Sequence, residues 1–167
     1  HTTVTPANEE TAKGLDQVYG GMEQMVSGFF DTWTLFVINP PFPDAESVYQ
    51  LADQGDHWQL SYKEKDTDVT TILDKKSVVR DLRVSTSEFT SSIQPQFTST
   101  SQGFLLAGYQ ADYTGKSPSD KTHLQVRITY QEVNGLQLPK DLNLGGSYGG
   151  VPFQVEVAFS GCRATKT

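Results

Sequence analysis

The sequence predicts a mainly β, α+β fold: a curled antiparallel sheet or unclosed half-barrel of about nine to ten strands, with an N-terminal helical segment packed on it. From Thr122 to Lys166, apolar residues alternate with polar ones, which is the pattern of strands with one buried face. Asn134-Gly135 separates two of these runs, and this dipeptide readily adopts the two positive φ angles of a tight hairpin turn. A helical periodicity precedes the strands and no βαβ pattern follows, so a parallel sheet is not expected.

Length and composition predict one globular domain that spans residues 1–167. The aromatic share of 11% argues against disorder, because aromatic side chains supply much of the burial that folding needs. The net charge of −7 disfavours nucleic acid and anionic membrane surfaces as partners. No apolar run approaches the roughly 18 residues of a membrane span. The single cysteine, Cys162, excludes an intramolecular disulfide and a cysteine-based zinc site, and we expect a packed, inert thiol there.

A helix is predicted over residues 6–30, with Thr5 as its N-cap and Pro6 in its first position. Large apolar residues at helical spacing form one face: Leu15, Val18, Tyr19, Met22, Met25, Val26 and Phe29. Gly20-Gly21 predicts a kink or two short helices, because each glycine costs about 1 kcal/mol relative to alanine. The apolar stripe is either ordinary core, which we favour, or part of a helix, Met22–Phe30, that closes a cavity.

A β meander is predicted over residues 33–166. Before its closing segment, the expected strands are Trp33–Ile38, Ser47–Leu51, His57–Lys63, Val69–Leu73, Val78–Val84, Phe89–Phe97 and Phe104–Tyr113. Asn39–Pro43 is expected to be a loop, because proline cannot donate to a ladder. Lys63–Asp68 is interpreted as a charged hairpin turn rather than a calcium loop, because the required glycine and distal glutamate are missing. The Ser/Thr-rich strand Phe89–Phe97 is the candidate edge of the sheet.

The polar motifs do not indicate catalysis. Gly145–Gly149 matches the G-x-S-x-G pattern, but it leads into a strand and no histidine follows Ser147, so a hairpin loop is favoured over a nucleophile elbow. His57 and His123 fall on the polar faces of their strands, and solvated histidines are favoured over a metal site completed by Asp56. No nucleophile–base pair or metal set has the required spacing, so we expect no enzymatic activity, no metal and no cofactor.

Aromatic residues are spread over most of the predicted strands. They are Trp33, Phe36, Tyr49, Trp58, Tyr62, Phe104, Tyr109, Tyr130, Phe153 and Phe159. On a curled sheet, one face of each strand points inward. Large apolar groups on that face form either a filled core, which is the default, or a cavity for an apolar ligand. The residues expected to line such a hollow are Trp33, Phe36, Trp58, Tyr62 and Phe104, with Met22 and Met25 on the helix that gates it.

The closing segment resembles a known family. The stretches VRITYQEVNGLQLPKDLNL and PFQVEVAFSGCRA contain a strand with Tyr130, a turn at Gly135, the element Leu138-Pro139 and a final strand, Phe153–Phe159. This order is similar to the end of bacterial outer-membrane lipoprotein-sorting and carrier proteins, and it covers about residues 122–166. The resemblance implies an unclosed antiparallel barrel in a periplasmic protein, with helices in its open side and a hollow that accepts acyl chains.

We therefore expect a non-enzymatic periplasmic or secreted domain that binds a lipid or another apolar ligand, and the resemblance implies a link to lipoprotein sorting. The chain begins at His1 rather than methionine, which fits a removed signal peptide or a tag remnant. The alternative is a structural or interaction domain with a solid core, which binds a protein partner through the exposed edge strand Phe89–Phe97.

Overall fold

The fold is mainly β, as predicted. A computed structural model of the chain describes residues 8–38, 41–101, 103–117 and 120–163. These residues contain one helix, α1 (Glu9–Val37), followed by nine strands. The chain divides into two compact units, the helical unit His1–Pro40 and the sheet unit Pro41–Thr167.

The helix α1 begins at a polar cap. The side-chain oxygen of Asn8 accepts a hydrogen bond from the Thr11 amide at 2.8 Å, which satisfies one of the free N–H groups of the first turn. Glu9 and Glu10 occupy that turn, where negative charge interacts favourably with the helix dipole. Thr5 and Pro6, the predicted start of the helix, lie outside the described residues.

Two predictions about this segment are wrong. The helix runs through Gly20-Gly21 without interruption, and it continues to Val37, so Trp33–Ile38 is not a strand. The Ile38 amide still donates to the Thr34 carbonyl at 2.8 Å, as in a helix. A continuous apolar run of six residues suits a helix as well as a buried strand, so periodicity alone does not distinguish them. The glycine penalty of about 2 kcal/mol is too small to end a helix of 29 residues.

Nine strands form a single antiparallel sheet. They are β1 (Tyr49–Asp53), β2 (His57–Glu64), β3 (Thr67–Asp74), β4 (Val79–Ser85), β5 (Phe89–Thr100), β6 (Gly103–Gly115), β7 (Lys121–Val133), β8 (Leu136–Tyr148) and β9 (Val151–Ala158). Each strand pairs with the strands next to it in sequence, so the spatial order is β1 to β9. The two outer strands do not pair with each other, and the predicted unclosed antiparallel sheet is confirmed.

Two predicted hairpin turns are confirmed. Asn134 and Gly135 join β7 to β8 with φ angles of 52° and 82°, as the tight-turn prediction requires. Between β2 and β3, Lys65 has a φ of 54° in the charged turn. The β2–β3 register covers both strands in full, and the β7–β8 register runs from Thr122 to Val133 of β7 with one irregularity between Thr129 and Tyr130.

The prediction that Phe89–Phe97 forms the edge of the sheet is wrong. This segment is the first part of β5, which pairs with β4 on one side and β6 on the other. Ser92 lies on the polar side of this internal strand and donates to Asp81 at 2.8 Å, whereas Ser91 lies opposite Val84 on the other side. Pairing with β4 ends at Ile93, so Pro95 falls in a stretch with one neighbour, where a missing N–H is tolerated.

The register sorts side chains onto two faces, because residues directly opposite each other point the same way. The apolar face contains Tyr49, Leu51, Trp58, Leu60, Tyr62, Val69, Leu73, Leu82, Ile93, Leu106, Tyr109, Leu124, Val126, Leu142, Leu144, Val155 and Val157. The polar face contains Gln59, Asp81, Arg83, Gln110, Asp112, His123, Gln125, Arg127, Asn143, Ser147, Gln154 and Glu156. The core of the sheet unit therefore lies on one side only.

Candidate functional site

The apolar face is buried at its centre and exposed at its margins. Leu82, Tyr109 and Leu142, on central strands, are at most 2% exposed. The exposed large apolar side chains of this face lie on the edge strand or near strand ends, and include Tyr49, Leu51, Phe104, Tyr148 and Val151. A surface ligand would therefore meet the apolar face at its rim.

Three of the predicted site residues lie in the sheet. Two of them share one strand, and the third lies on a distant strand. Trp58 and Tyr62 lie four residues apart on β2, so their side chains share the apolar face. Phe104 lies on β6, with three strands in between, which places it about 19 Å away across the sheet. A single small ligand does not contact all three residues.

Trp58 is covered by a charged side chain. The Lys75 ammonium lies 4.0 Å from the centre of the indole ring, in cation–π contact, and 2.5 Å from the Asp53 carboxylate. The hydrogen bond from Lys75 and a second from the Gly55 amide hold the pKa of Asp53 below its usual range. This part of the apolar face therefore ends in a polar cluster rather than in open apolar surface.

Tyr62 lines a depression of about 260 Å³ at the corner formed by β1, β2 and β3. The apolar-face residues Tyr49 and Val69 line it as well. The rest of the lining is Val48 and a set of residues on the opposite, polar face: Gln50, Ser61, Lys63, Asp68 and Thr70. Burial raises the pKa of the Tyr62 phenol, and the nearby carboxylates of the chain raise it further. We call this depression the tyrosine corner, and it brings a predicted ligand-site residue of the sheet, Tyr62, to a concave surface.

Phe104 belongs to a separate aromatic pair. It is 62% exposed at the beginning of β6, and its ring meets that of Phe97 edge-on with centres 6.5 Å apart. Both residues lie near the hairpin that joins β5 to β6. The pair forms a partly exposed aromatic patch at one end of the sheet.

The four predicted site residues of the helical unit share one face of α1. Met22, Met25, Trp33 and Phe36 are separated by 3, 8 and 3 residues, which is close to whole turns of a helix. Trp33 was expected on a strand, so helical geometry rather than sheet pairing brings it beside Phe36. The Phe30 ring also meets that of Trp33 edge-on at 6.4 Å, which adds to the aromatic character of this end of α1.

Sequence reasoning missed a row of polar side chains across β6, β7 and β8. Asp112, His123 and Ser147 lie directly opposite one another, and a depression of about 480 Å³ borders all three. The Asp112 carboxylate is 2.8 Å from Nδ1 of His123. Alternation places His123 on the polar face, but no local signal shows which residues of neighbouring strands stand beside it.

This row does not have the geometry of a nucleophile elbow. Ser147 lies inside β8, which continues through the two-residue turn Gly149-Gly150 into another strand rather than a helix. Among the described residues, no hydrogen bond joins His123 to Ser147, so the serine is not activated in this arrangement. The motif was predicted to be a hairpin loop, but only its last residue, Gly149, lies in the turn, since Gly145–Tyr148 belong to β8.

The two internal histidines are too far apart to share a metal ion. His57 lies on β2 and His123 on β7, five strands away. Each contacts its own carboxylate, Asp56 at 2.6 Å and Asp112 at 2.8 Å. In the part of the chain that the structure describes, no group of three or more histidine, cysteine, aspartate or glutamate side chains is arranged to hold a metal ion. The thiol of Cys162 is partly exposed and accepts a hydrogen bond from Gln131 at 3.5 Å.

Within the described ranges, α1 lacks an apolar stretch of the length that a membrane span requires. Comparison of the chain with protein-family models, with curated proteins and with solved structures yields no match. The function therefore has to be argued from the geometry of the two faces of the sheet.

Proposed function

We propose that this chain is a non-enzymatic domain that binds a single apolar chain, such as a lipid acyl chain, at the tyrosine corner of its unclosed sheet. The observation that supports the proposal is a concave surface beside the open edge, whose lining includes Tyr49 and Tyr62. A sheet that closed on itself would bury this corner, whereas the unclosed sheet leaves it accessible to a ligand.

The chemistry of the corner favours a neutral or zwitterionic lipid. Its lining contains Lys63 and Asp68, and the carboxylates of Glu64 and Asp44 lie near Tyr62, so a free carboxylate on the ligand gains little. Burial of about eight methylenes contributes about 6 kcal/mol at about 0.8 kcal/mol each. That figure alone corresponds to a dissociation constant of about 40 µM, and the cost of association weakens the affinity, so we expect a dissociation constant between about 40 µM and 1 mM.

Two further points agree with this proposal. The resemblance of residues 122–166 to lipoprotein-sorting and carrier proteins implies acyl-chain binding, and a periplasmic location and a role in lipoprotein sorting belong to the same proposal. The apolar face of α1 with Met22, Met25, Trp33 and Phe36 is a second candidate surface for the ligand, contributed by the helical unit.

The first experiment is native mass spectrometry of the purified protein, with organic extraction of bound molecules. A single-chain lipid, lysophosphatidylethanolamine, is then titrated and the bound fraction is measured. Tyr49→Ser and Tyr62→Ser should each weaken binding about fivefold or more, because each removes an aromatic contact. Tyr148→Ser is the matched control, since Tyr148 is an exposed tyrosine of the same face at the far end of the sheet, and it should leave binding unchanged.

Absence of binding up to about 10 mM lipid would contradict the proposal, since that concentration lies above the whole expected range of the dissociation constant. Equal losses in Tyr62→Ser and Tyr148→Ser would also contradict it, because binding would then not involve the corner. Far-UV circular dichroism of each variant checks that the sheet remains folded.

A further inference from the structure

The edge strand β1 is open along its outer side. All five of its residues are exposed, and within the described part of the chain β2 is its only neighbour in the sheet. An uncovered edge presents unpaired N–H and C=O groups, which pair readily with another strand. The open edge is therefore a surface for β pairing, in addition to the proposed lipid site.

The hairpin geometry identifies the residues whose backbone groups point outward. The Gln54 amide donates to the His57 carbonyl at 3.0 Å, so these two residues form a hydrogen-bonded pair. The N–H and C=O groups of successive residues point to alternate sides of an antiparallel strand, so those of Gln50 and Ala52 also point towards β2. The N–H and C=O groups of the intervening residues, Tyr49, Leu51 and Asp53, point away from the sheet.

The edge strand β1 lacks the features that natural sheets use to prevent edge pairing. It contains no proline and no lysine, and its register with β2 has no bulge. The opposite edge, β9, differs, because Pro152 interrupts its N–H groups near its start. Leu51 is 55% exposed in the middle of β1. The asymmetry singles out β1 as the edge that accepts a partner.

We propose that two copies of this chain pair through β1, antiparallel, about a two-fold axis at Leu51. This register places Leu51 opposite its own counterpart, Tyr49 opposite Asp53 and Gln50 opposite Ala52. The outward-pointing residues then face each other, as a hydrogen-bonded ladder requires. Asp53, the only charged residue of β1, faces a tyrosine rather than a second carboxylate, so no like charges oppose each other.

The pairing joins the two nine-stranded sheets into one continuous sheet. A two-fold axis perpendicular to the sheet keeps both apolar faces on the same side, where the two Leu51 side chains meet. The contact involves five residues from each copy. It is at the small end of specific interfaces, below about 1,200 Å² in total, so we expect a weak dimer that depends on protein concentration.

Sedimentation velocity of the full chain at protein concentrations from about 1 to 500 µM tests the proposal. Because the interface is small, the monomer–dimer equilibrium should fall within this concentration range. Leu51→Lys should shift the protein to monomer, because two ammonium groups would then face each other at the axis. Leu136→Lys is the matched control, since Leu136 is 54% exposed at a different hairpin, and it should dimerise like the unmodified chain. A monomer at every concentration, equal loss in both variants, or open-ended polymers from β1–β9 pairing would each overturn the proposal.

Cysteine cross-linking tests the register. In a Cys162→Ser background, Leu51→Cys should form an intermolecular disulfide, because Cα atoms of a hydrogen-bonded pair lie about 5.5 Å apart. Ala52→Cys should not, since residue 52 faces residue 50 of the other copy. Equal cross-linking in both variants would overturn the register. Neither position lines the tyrosine corner, so failure of this proposal is distinguishable from failure of lipid binding.

Discussion

The hydroxyl of Tyr130 donates a hydrogen bond of 2.6 Å to the backbone carbonyl of Leu106, across 24 residues of sequence. Leu106 is 1% exposed, and it lies just beyond the point where pairing between β6 and β7 ends, at Gly108 and Arg127. A buried carbonyl that loses its ladder partner needs another donor. The phenol of Tyr130 supplies it, so the two strands stay connected where their backbones no longer pair.

Tyr130→Phe tests this connection. The substitution keeps the ring but removes the donor, so the free energy of unfolding should fall by about 1–3 kcal/mol, the cost of a buried carbonyl without a partner. Urea denaturation followed by circular dichroism measures the change. Tyr148→Phe, at a tyrosine that is 65% exposed, should change stability by less than about 0.5 kcal/mol. Equal effects in the two variants would show that the hydrogen bond contributes nothing.

The adjacent glycines of β8 should respond oppositely to alanine. A Cβ atom at Gly146 would lie 1.9 Å from the His123 carbonyl oxygen, so the backbone of β7 or β8 must shift. We expect Gly146→Ala to destabilise the protein by about 1–3 kcal/mol. At Gly145, nothing lies within 4 Å of the added atom, and Gly145→Ala should be neutral or stabilising by about 0.5–1 kcal/mol. Thermal and urea unfolding of the two variants would reveal any reversal of this order.

The core of the sheet should be sensitive at Leu142. This side chain is 0% exposed on the apolar face, between Ile128 on β7 and Val157 on β9. Leu142→Ala removes buried methyl groups and leaves a cavity, so we expect a loss of about 2–5 kcal/mol in unfolding free energy. Leu136→Ala, on the exposed hairpin, provides the comparison and should cost less than about 1 kcal/mol. A small loss at Leu142 would mean that the apolar face is loosely packed.

The turn between β3 and β4 should contribute to acid sensitivity. A hydrogen bond from the Val78 amide, supported by Arg80 and the Lys76 amide, holds the pKa of Asp74 below 3.8. The folded state therefore binds this proton more weakly than the unfolded state does. Its stabilising effect is present above the unfolded pKa and is lost as the pH falls through the folded one. Asp74→Asn should thus lower stability at neutral pH.

The same variant provides its own control. As the pH falls through the lowered pKa of Asp74, the carboxylate of the unmodified chain becomes protonated, and the unfolding free energies of the two proteins should converge. The measurement is urea denaturation at a series of pH values between about 2 and 7. A difference that stays constant over the whole range would assign the effect to lost packing rather than to the charge of Asp74.

Local patterns predicted much of the sheet. From His57 onward, each predicted strand overlaps an observed strand, because alternation with a period of two is a property of the strand itself. The Asn134-Gly135 turn was predicted for the same reason, since its backbone angles depend on those two residues. Trp33–Val37 was assigned wrongly, because a short apolar run has no period that separates helix from strand. The predicted site was only partly assembled, since Phe104 and Trp58 lie on strands that are not neighbours.

Between irregularities, the sequence by itself determined which side chains share a face, because successive residues of a strand point to opposite sides. The register shift at Gln96/Phe97, which puts Leu106 and Tyr109 on the same face, belongs to the tertiary structure. Only the tertiary structure decided which strands are neighbours and where each one stops pairing. That choice made β5 internal and β1 an open edge, and it placed Asp112 beside His123. Register arises from packing and hydrogen bonds between distant segments, so no local window contains it. The tyrosine corner and the β1 edge therefore became visible only in the folded chain.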